Sequence, residues 1–139
     1  MRADIEPTED QLRKLATDAH EGPIVMVNLL KYRKTADYAA DAPEAGQGLT
    51  GRAAYQRYGA IALACVGKAG GSIVWAGKQR FVAVGDADDE WDDVVCVRYP
   101  SRQAFLTMVQ DGEYRAGMYH RDAGLERTAL LCCEAGMVA

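Results

Sequence analysis

Residues 24–32, Ile-Val-Met-Val-Asn-Leu-Leu-Lys-Tyr, are the stretch that decides the fold. The run is β-branched and apolar, and Gly22-Pro23 just before it ends any preceding helix, so it predicts a strand. In a strand, Ile24, Met26, Asn28 and Leu30 share one face, and Val25, Val27, Leu29 and Lys31 share the other. Both faces are apolar over most of their length, whereas a sheet with one wet face alternates. We therefore expect this strand to be covered on both sides.

Helix and strand signals flank this stretch in a regular order. Upstream, Thr8 and Gln11 have the spacing of a capping box, which predicts a helix. Its apolar stripe is Leu12, Leu15, Ala16 and Ala19. Downstream, the patterns predict a loop over 34–51, a helix from 50 or 51 to about 68, and a strand or kinked strand pair over 72–84 with a bulge at Gly77. A strand over 94–99, a helix capped by Ser101, a short helix over 113–122 and a strand over 127–134 follow.

After the extra N-terminal helix, this order is the βαββαβ pattern of an α+β, ferredoxin-like fold. Its four strands form one antiparallel sheet with both helices on one face, which leaves the other face bare in a monomer. A bare apolar sheet face of that size marks an association surface. We therefore expect residues 1–139 to form a single domain that pairs sheet against sheet with a second copy, as a two-fold homodimer.

The composition is that of an ordinary globular protein, with 49% hydrophobic and 26% charged residues among 139. The net charge of -4 argues against nonspecific binding to nucleic acid or to an anionic membrane. No apolar run is long enough to span a bilayer, and residues 1–6 lack the apolar core of a signal peptide. These features predict a cytoplasmic protein.

The four cysteines, Cys65, Cys96, Cys132 and Cys133, contain no CxxC pair, and the two histidines have no ligand spacing with them. We expect small buried thiols in a reducing compartment, with no structural metal and no cofactor. Dinucleotide, phosphate-loop, nucleophile-elbow and HExxH signatures are absent from the sequence.

Residues 22–33, GPIVMVNLLKYR, resemble the GPVVMLNLLRFR segment of the uncharacterised family numbered 1330 among the domains of unknown function (DUF1330). The resemblance continues through Gly51, Ala54-Tyr55, Tyr58, Gly70-Gly71, Trp75-Ala76-Gly77, Trp91-Asp92, Tyr99-Pro100-Ser101-Arg102, Ala104-Phe105, Met108, Glu113-Tyr114, Arg121 and Ala123-Gly124-Leu125. It implies a dimeric α+β barrel, and it implies no particular activity. The wider superfamily contains cofactor-independent monooxygenases, muconolactone-type isomerases, haem-dependent enzymes and plain ligand binders. Resemblance to this superfamily therefore does not identify an activity.

Two polar residues in strands are candidate ligand contacts. Asn28 interrupts an apolar strand, where it is either a structural amide or a contact for a carbonyl or carboxylate. Arg98 shares a strand face with Val94 and Cys96. It would bind an acidic or carbonyl-bearing ligand if it faced a cavity, and otherwise would form a salt bridge at the strand end, to Asp92, Glu113 or Glu134.

Aromatic and basic residues complete the candidate site. Tyr58 and Trp91 would line a pocket for a flat organic molecule together with Tyr114, or would be core residues. His120 is a candidate catalytic acid or base near neutral pH, or an exposed helix residue. Arg121 would bind ligand, or would pair with Glu113 or Asp111.

Three functions remain open on these residues. The first is a cofactor-independent oxygenase or isomerase acting on an aromatic or carbonyl-bearing metabolite, with oriented donors stabilising developing negative charge. The second is a small-molecule binding or sensing protein that uses the same pocket without turnover. The third is an interaction module whose dimer is its whole function.

Overall fold

The computed structural model describes residues 4–136. Residues 1–3, which belong to the N-terminal segment considered above as a signal peptide, and residues 137–139 lie outside the described residues. The elements are α1 (Glu9–Thr17), β1 (Ile24–Tyr32), α2 (Gly51–Lys68), β2 (Ser72–Lys78), β3 (Asp93–Tyr99), α3 (Arg102–Gln110), α4 (Gly112–Gly124) and β4 (Leu125–Glu134). A short 3-10 helix, Ala87–Asp89, lies between β2 and β3. The α+β class and the βαββαβ order after α1 are confirmed.

Local signals account for the helix starts. Thr8 and Gln11 form the predicted capping box of α1. The hydroxyl of Thr50 accepts from Ala53 N at the start of α2, and the hydroxyl of Ser101 accepts from Ala104 N at the start of α3. The apolar stripe predicted for α1 is wrong in part, because α1 ends at Thr17, before Ala19, and has no buried residue.

The four strands form one sheet in the order β2-β3-β1-β4, with every neighbouring pair antiparallel. Asn28 lies opposite Val95 of β3 and opposite Leu130 of β4. The second strand stops at Lys78, six residues before the predicted limit of 84. Its register shift falls between Ile73 and Trp75, so the bulge predicted at Gly77 is wrong.

One face of the sheet, here called the covered face, carries α2, α3 and α4. Its main apolar cluster joins strand residues to helix residues: Ile24, Met26, Val97 and Tyr99 with Cys65, Val66, Phe105, Met108 and Tyr114. A second cluster joins Leu30 to Ile5 and Leu125. Met26 and Leu30 are 2% and 1% exposed. These clusters supply the apolar burial that stabilises the fold.

Helices α2 and α4 approach each other closely because glycines stand at the contact. A Cβ atom on Gly124 would lie 2.5 Å from Gly51 O and 3.0 Å from Tyr55 N, and one on Gly117 would lie 2.8 Å from the Ile61 side chain. This close approach places Tyr55 and Tyr58 of α2 beside Tyr114 of α4.

The opposite side of the sheet, here called the open face, carries no helix in residues 4–136. Register places these side chains on it: Val25, Val27, Leu29, Trp75, Val94, Cys96, Arg98, Arg127, Ala129, Leu131 and Cys133. Leu131 is 48% exposed and Trp75 is 57% exposed. The described residues therefore cover β1 on one side only, which differs from the expectation that both sides are covered.

None of the helices in residues 4–136 combines the length and the apolar character needed to cross a bilayer.

Candidate functional site

A polar gap lies in the covered face between the two apolar clusters, at Asn28. The strand alternation places Asn28 on the same face as Met26 and Leu30, yet Asn28 is half-buried whereas its two neighbours are sealed. Val95, opposite Asn28, and Tyr58 and Tyr55 of α2 are half-buried as well. The helix layer therefore leaves the covered face partly open at this point.

The Asn28 amide is held by two backbone carbonyls. Its Nδ2 donates to Val95 O at 3.1 Å and to Met26 O at 3.3 Å. No donor in residues 4–136 reaches its Oδ1. Asn28 thus combines the two roles that the sequence left open, because its nitrogen has a structural role while its oxygen faces the gap without a partner.

A charged group, the Asp93 carboxylate, borders the gap at the first residue of β3. Asp93 Oδ2 accepts a hydrogen bond from Tyr32 OH at 2.6 Å and pairs with Arg52 Nη1 at 2.5 Å. The Arg52 guanidinium also lies 4.8 Å from the centre of the Tyr32 ring, close enough for a cation–π contact. Burial, together with the bond to the Asp93 carboxylate, raises the pKa of Tyr32 well above its usual value. Tyr32 therefore stays a hydrogen-bond donor at neutral pH.

Four tyrosines form a continuous row along the gap. The ring centres of Tyr32 and Tyr55 are 5.4 Å apart, those of Tyr55 and Tyr58 are 5.1 Å apart, and those of Tyr58 and Tyr114 are 5.8 Å apart. The hydroxyls of Tyr58 and Tyr114 share a hydrogen bond of 2.6 Å. Burial raises the pKa of both phenols, so the pair is protonated at neutral pH.

Arg121 of α4 brings a positive charge to this row. Its guanidinium favours the ionised form of Tyr55, Tyr58 and Tyr114. Nη2 donates to Ile5 O at 2.8 Å, and Nη1 lies 3.6 Å from Asp122 Oδ1. The alternative pairing of Arg121 with Glu113 or Asp111 is wrong, because Glu113 pairs instead with Lys68 at 3.0 Å and Asp111 caps α4.

A second polar cluster, here called the loop cluster, joins the 33–50 segment to α2 and α4. Tyr38 OH lies 2.7 Å from His120 Nδ1. Tyr119 OH donates to both oxygens of the buried Glu44 carboxylate, at 2.9 and 3.2 Å, and Arg57 Nη1 lies 3.8 Å from Glu44 Oε2. The rings of Tyr119 and His120 lie 4.1 Å apart, centre to centre.

The ionisation of the loop cluster follows from its burial. Burial lowers the pKa of His120 and raises that of Tyr38. At neutral pH the Tyr38 hydroxyl therefore shares its hydrogen bond with an uncharged imidazole, and the imidazole tautomer sets which of the two donates. His120 is 8% exposed, so the interpretation of this histidine as an exposed helix residue is wrong.

Arg98 and Trp91 lie away from the gap. Arg98 projects from the open face, is exposed, and forms no ion pair with Asp92, Glu113 or Glu134. Trp91 packs under Arg127, whose guanidinium carbon is 3.9 Å from the ring centre, and Arg127 lies opposite Lys31 on the open face. The predicted pocket between Tyr58 and Trp91 is therefore not formed by the described residues.

A cleft of about 400 Å³ lies beside the end of α2 and is lined by residues that include Cys65, Lys68 and Asp111. The Cys65 sulfur and one carboxylate oxygen each of Asp111 and Glu113 lie within 4.8 Å of one another. Asp111 already caps α4, Glu113 already binds Lys68, and burial raises the pKa of the Cys65 thiol. This arrangement disfavours the thiolate that a metal needs. The expectation of no metal stays a prediction.

Of the predicted site residues, the structure thus brings Asn28, Tyr58, Tyr114 and Arg121 to the covered face and places the others elsewhere. Sequence reasoning missed Tyr32, Asp93 and Arg52 at the gap, and Tyr38, Glu44 and Tyr119 at the loop cluster. The three-residue spacing of Tyr55 and Tyr58, which makes them neighbours on a helix, is the sequence signal that could have indicated part of this arrangement.

Comparison with known proteins decides the family. A family model described as a domain of unknown function, DUF1330, matches residues 45–135. The chain belongs to the DUF1330 family. The segment 22–33 that first indicated the resemblance lies before the matched residues of this DUF1330 chain.

Two solved structures are similar to the DUF1330 chain over nearly its whole length. One is the RPA0582 protein of unknown function from Rhodopseudomonas palustris, with 32% identity and a TM-score of 0.84, covering 96% of this chain and 97% of that chain. The other, of methylated RPA0582 protein, has 33% identity and a TM-score of 0.86, covering 97% and 96%. No curated protein matches the chain.

Proposed function

We propose that this DUF1330 chain acts as a homodimer that binds a small organic molecule, aromatic or carbonyl-bearing, in the gap at Asn28. The half-burial of Asn28 between two sealed residues of the same strand face carries the proposal. The Asn28 amide oxygen has no donor within residues 4–136 and is therefore available to a hydrogen-bond donor on a ligand.

The surroundings of Asn28 suit such a ligand. The rings of Tyr55 and Tyr58 offer flat apolar surface to an aromatic body. The Arg121 guanidinium, whose charge acts on Tyr55, Tyr58 and Tyr114, would offer donors to a carbonyl oxygen. Turnover, as in a cofactor-independent monooxygenase or an isomerase, would draw its proton donors from the Tyr58 and Tyr114 hydroxyls. His120, the catalytic candidate of the sequence, is bound to Tyr38 in the loop cluster.

A test of this site compares variants on the two faces of the sheet. Asn28→Ala removes the amide from the gap, whereas Arg98→Ala removes an exposed side chain from the open face. We expect Asn28→Ala to abolish thermal-shift responses that a metabolite library produces in the wild type, and Arg98→Ala to retain them. An equal loss in both variants, or responses that survive Asn28→Ala, would place binding elsewhere. Scoring the same library for product formation separates an enzyme from a binding or sensing protein.

The homodimer rests on the open face. Its centre is a row of Cys96, Val27 and Leu131 across three strands, flanked by Val94, Leu29 and Ala129. A second copy laid sheet against sheet would remove this apolar surface from water. A dimer without any ligand response would instead favour the third function, an interaction module.

Two neighbouring cysteines provide the test of the dimer. Cys133 lies on the open face, while Cys132 lies on the covered face, and both thiols are exposed in the single chain. In a dimer, a thiol reagent should modify Cys132 and spare Cys133, as read by peptide mass spectrometry, and light scattering should give twice the mass of one chain. Equal modification of both cysteines together with a monomeric mass at micromolar concentration would exclude the dimer.

A further inference from the structure

The hydrogen bonds of Asn28 fix which end of its amide faces the gap. Both of its partners, Val95 O and Met26 O, are backbone carbonyl oxygens, and carbonyl oxygens only accept. The nitrogen must therefore point at them, which settles the choice between amide nitrogen and oxygen. What Asn28 presents to a ligand is Oδ1, an acceptor without a donor in residues 4–136.

A second unfilled acceptor lies on the same face. Asp93 is two residues from Val95 along β3, diagonal to Asn28 across the strand pair. Its Oδ2 is occupied by Tyr32 and Arg52, whereas its Oδ1 is buried and has no hydrogen-bond partner in the described part of the chain. Buried carboxylate oxygens are ordinarily paired, so an orphan here requires an explanation.

Aromatic rings lie close to Asp93. The ring of Tyr55 lies between those of Tyr32 and Tyr58, and Asp93 acts electrostatically on the Tyr55 phenol. Within residues 4–136 the Tyr55 hydroxyl has no hydrogen bond. We take this ring as the surface against which a flat ligand would lie.

We infer that the ligand of the gap is a small flat molecule with two hydrogen-bond donors, such as phenolic hydroxyls or ring N–H groups, directed at Asn28 Oδ1 and Asp93 Oδ1. This inference rests on the proposed binding site and narrows the ligand chemistry at this end of it. A carboxylate or an ether oxygen there would face two acceptors and would lose its water without gaining a bond.

The experiment varies the donors on one ring. Resorcinol has two hydroxyls, 3-methoxyphenol has one, 1,3-dimethoxybenzene has none, and benzoate presents a carboxylate. Each is titrated into ¹⁵N-labelled protein while the Asn28 side-chain amide and the backbone amides of 93–95 are followed by NMR. We expect resorcinol to bind most tightly, with affinity falling about tenfold for each hydroxyl that is capped.

Two variants test the assignment to Asp93. Asp93→Asn replaces a charged acceptor by a neutral one of the same size, so the preference for resorcinol over 3-methoxyphenol should fall from about tenfold to less than about threefold. Arg98→Ala removes an exposed side chain from the open face and should leave that preference unchanged. Should Asp93→Asn fail to fold, the wild-type series still decides, because it needs no variant.

The remaining outcomes distinguish a failure of the two-donor inference from a failure of the proposed binding site at Asn28. Benzoate or 1,3-dimethoxybenzene binding at these resonances as tightly as resorcinol would overturn the donor inference and leave the proposed site standing. Absence of any shift at these resonances with all four probes would overturn the proposed site, and the inference with it.

Discussion

The gap at Asn28 and the loop cluster are both places where tyrosines meet charged residues, and they differ in how their polar atoms are satisfied. In the loop cluster, the Tyr38 hydroxyl is hydrogen-bonded to His120, and the Tyr119 hydroxyl donates to the Glu44 carboxylate. In the gap, Asn28 Oδ1 and Asp93 Oδ1 have no donor within the described residues. A concentration of polar residues therefore does not by itself mark a site, whereas acceptors without donors do.

The difference assigns the two regions different roles. The loop cluster holds the 33–50 segment, which contains no helix or strand, against α2 and α4. Backbone hydrogen bonds from Arg33 N and Asp37 N to carbonyl oxygens at the end of α4 hold the same segment. We interpret it as a structural clamp. The gap, by contrast, contains two hydrogen-bond acceptors without donors in the described residues, Asn28 Oδ1 and Asp93 Oδ1, at a partly open point of the covered face.

The largest expected effect comes from Tyr38→Phe, which should weaken the clamp and spare the gap. His120 Nδ1 would lose its hydrogen-bond partner while still buried, at a cost of about 1–3 kcal/mol. Urea denaturation should show a lower free energy of unfolding, with resorcinol binding unchanged. A stable variant that has lost resorcinol binding would reverse the roles assigned to the two regions.

A smaller effect is expected from pH, through His120. Its pKa is lowered by burial, so the unfolded chain binds the proton more readily than the folded chain. The groups facing it are Tyr38, Tyr119, Glu44 and Arg57; Glu44 opposes the shift and Arg57 adds to it. The stability due to neutral His120 is complete above the unfolded pKa of about 6.5 and is lost as the pH falls below it.

A variant of His120 tests that pH effect. His120→Gln should flatten the decline in melting temperature between about pH 7.5 and 5.5. Identical pH profiles for the wild type and His120→Gln would show that another group causes the decline.

Local patterns predicted most of the fold, because caps and periodicity act over a few residues. The capping box of α1 and the limits of α2, Gly51–Lys68, follow from such signals. The site depends on contacts distant in sequence: Tyr32 and Asp93 are 61 residues apart, and Tyr38 and His120 are 82 apart. No local pattern specifies which polar residues will meet across β1 and β3, or that Arg121 reaches the covered face while Arg98 does not.

The crystal structure of the chain soaked with resorcinol tests the central claim most directly. We predict density for the ring beside Tyr55, with one hydroxyl oxygen roughly 2.6–3.0 Å from Asn28 Oδ1 and the other at the same distance from Asp93 Oδ1. Density confined to the open face or the loop cluster, with the gap at Asn28 unchanged, would contradict the account.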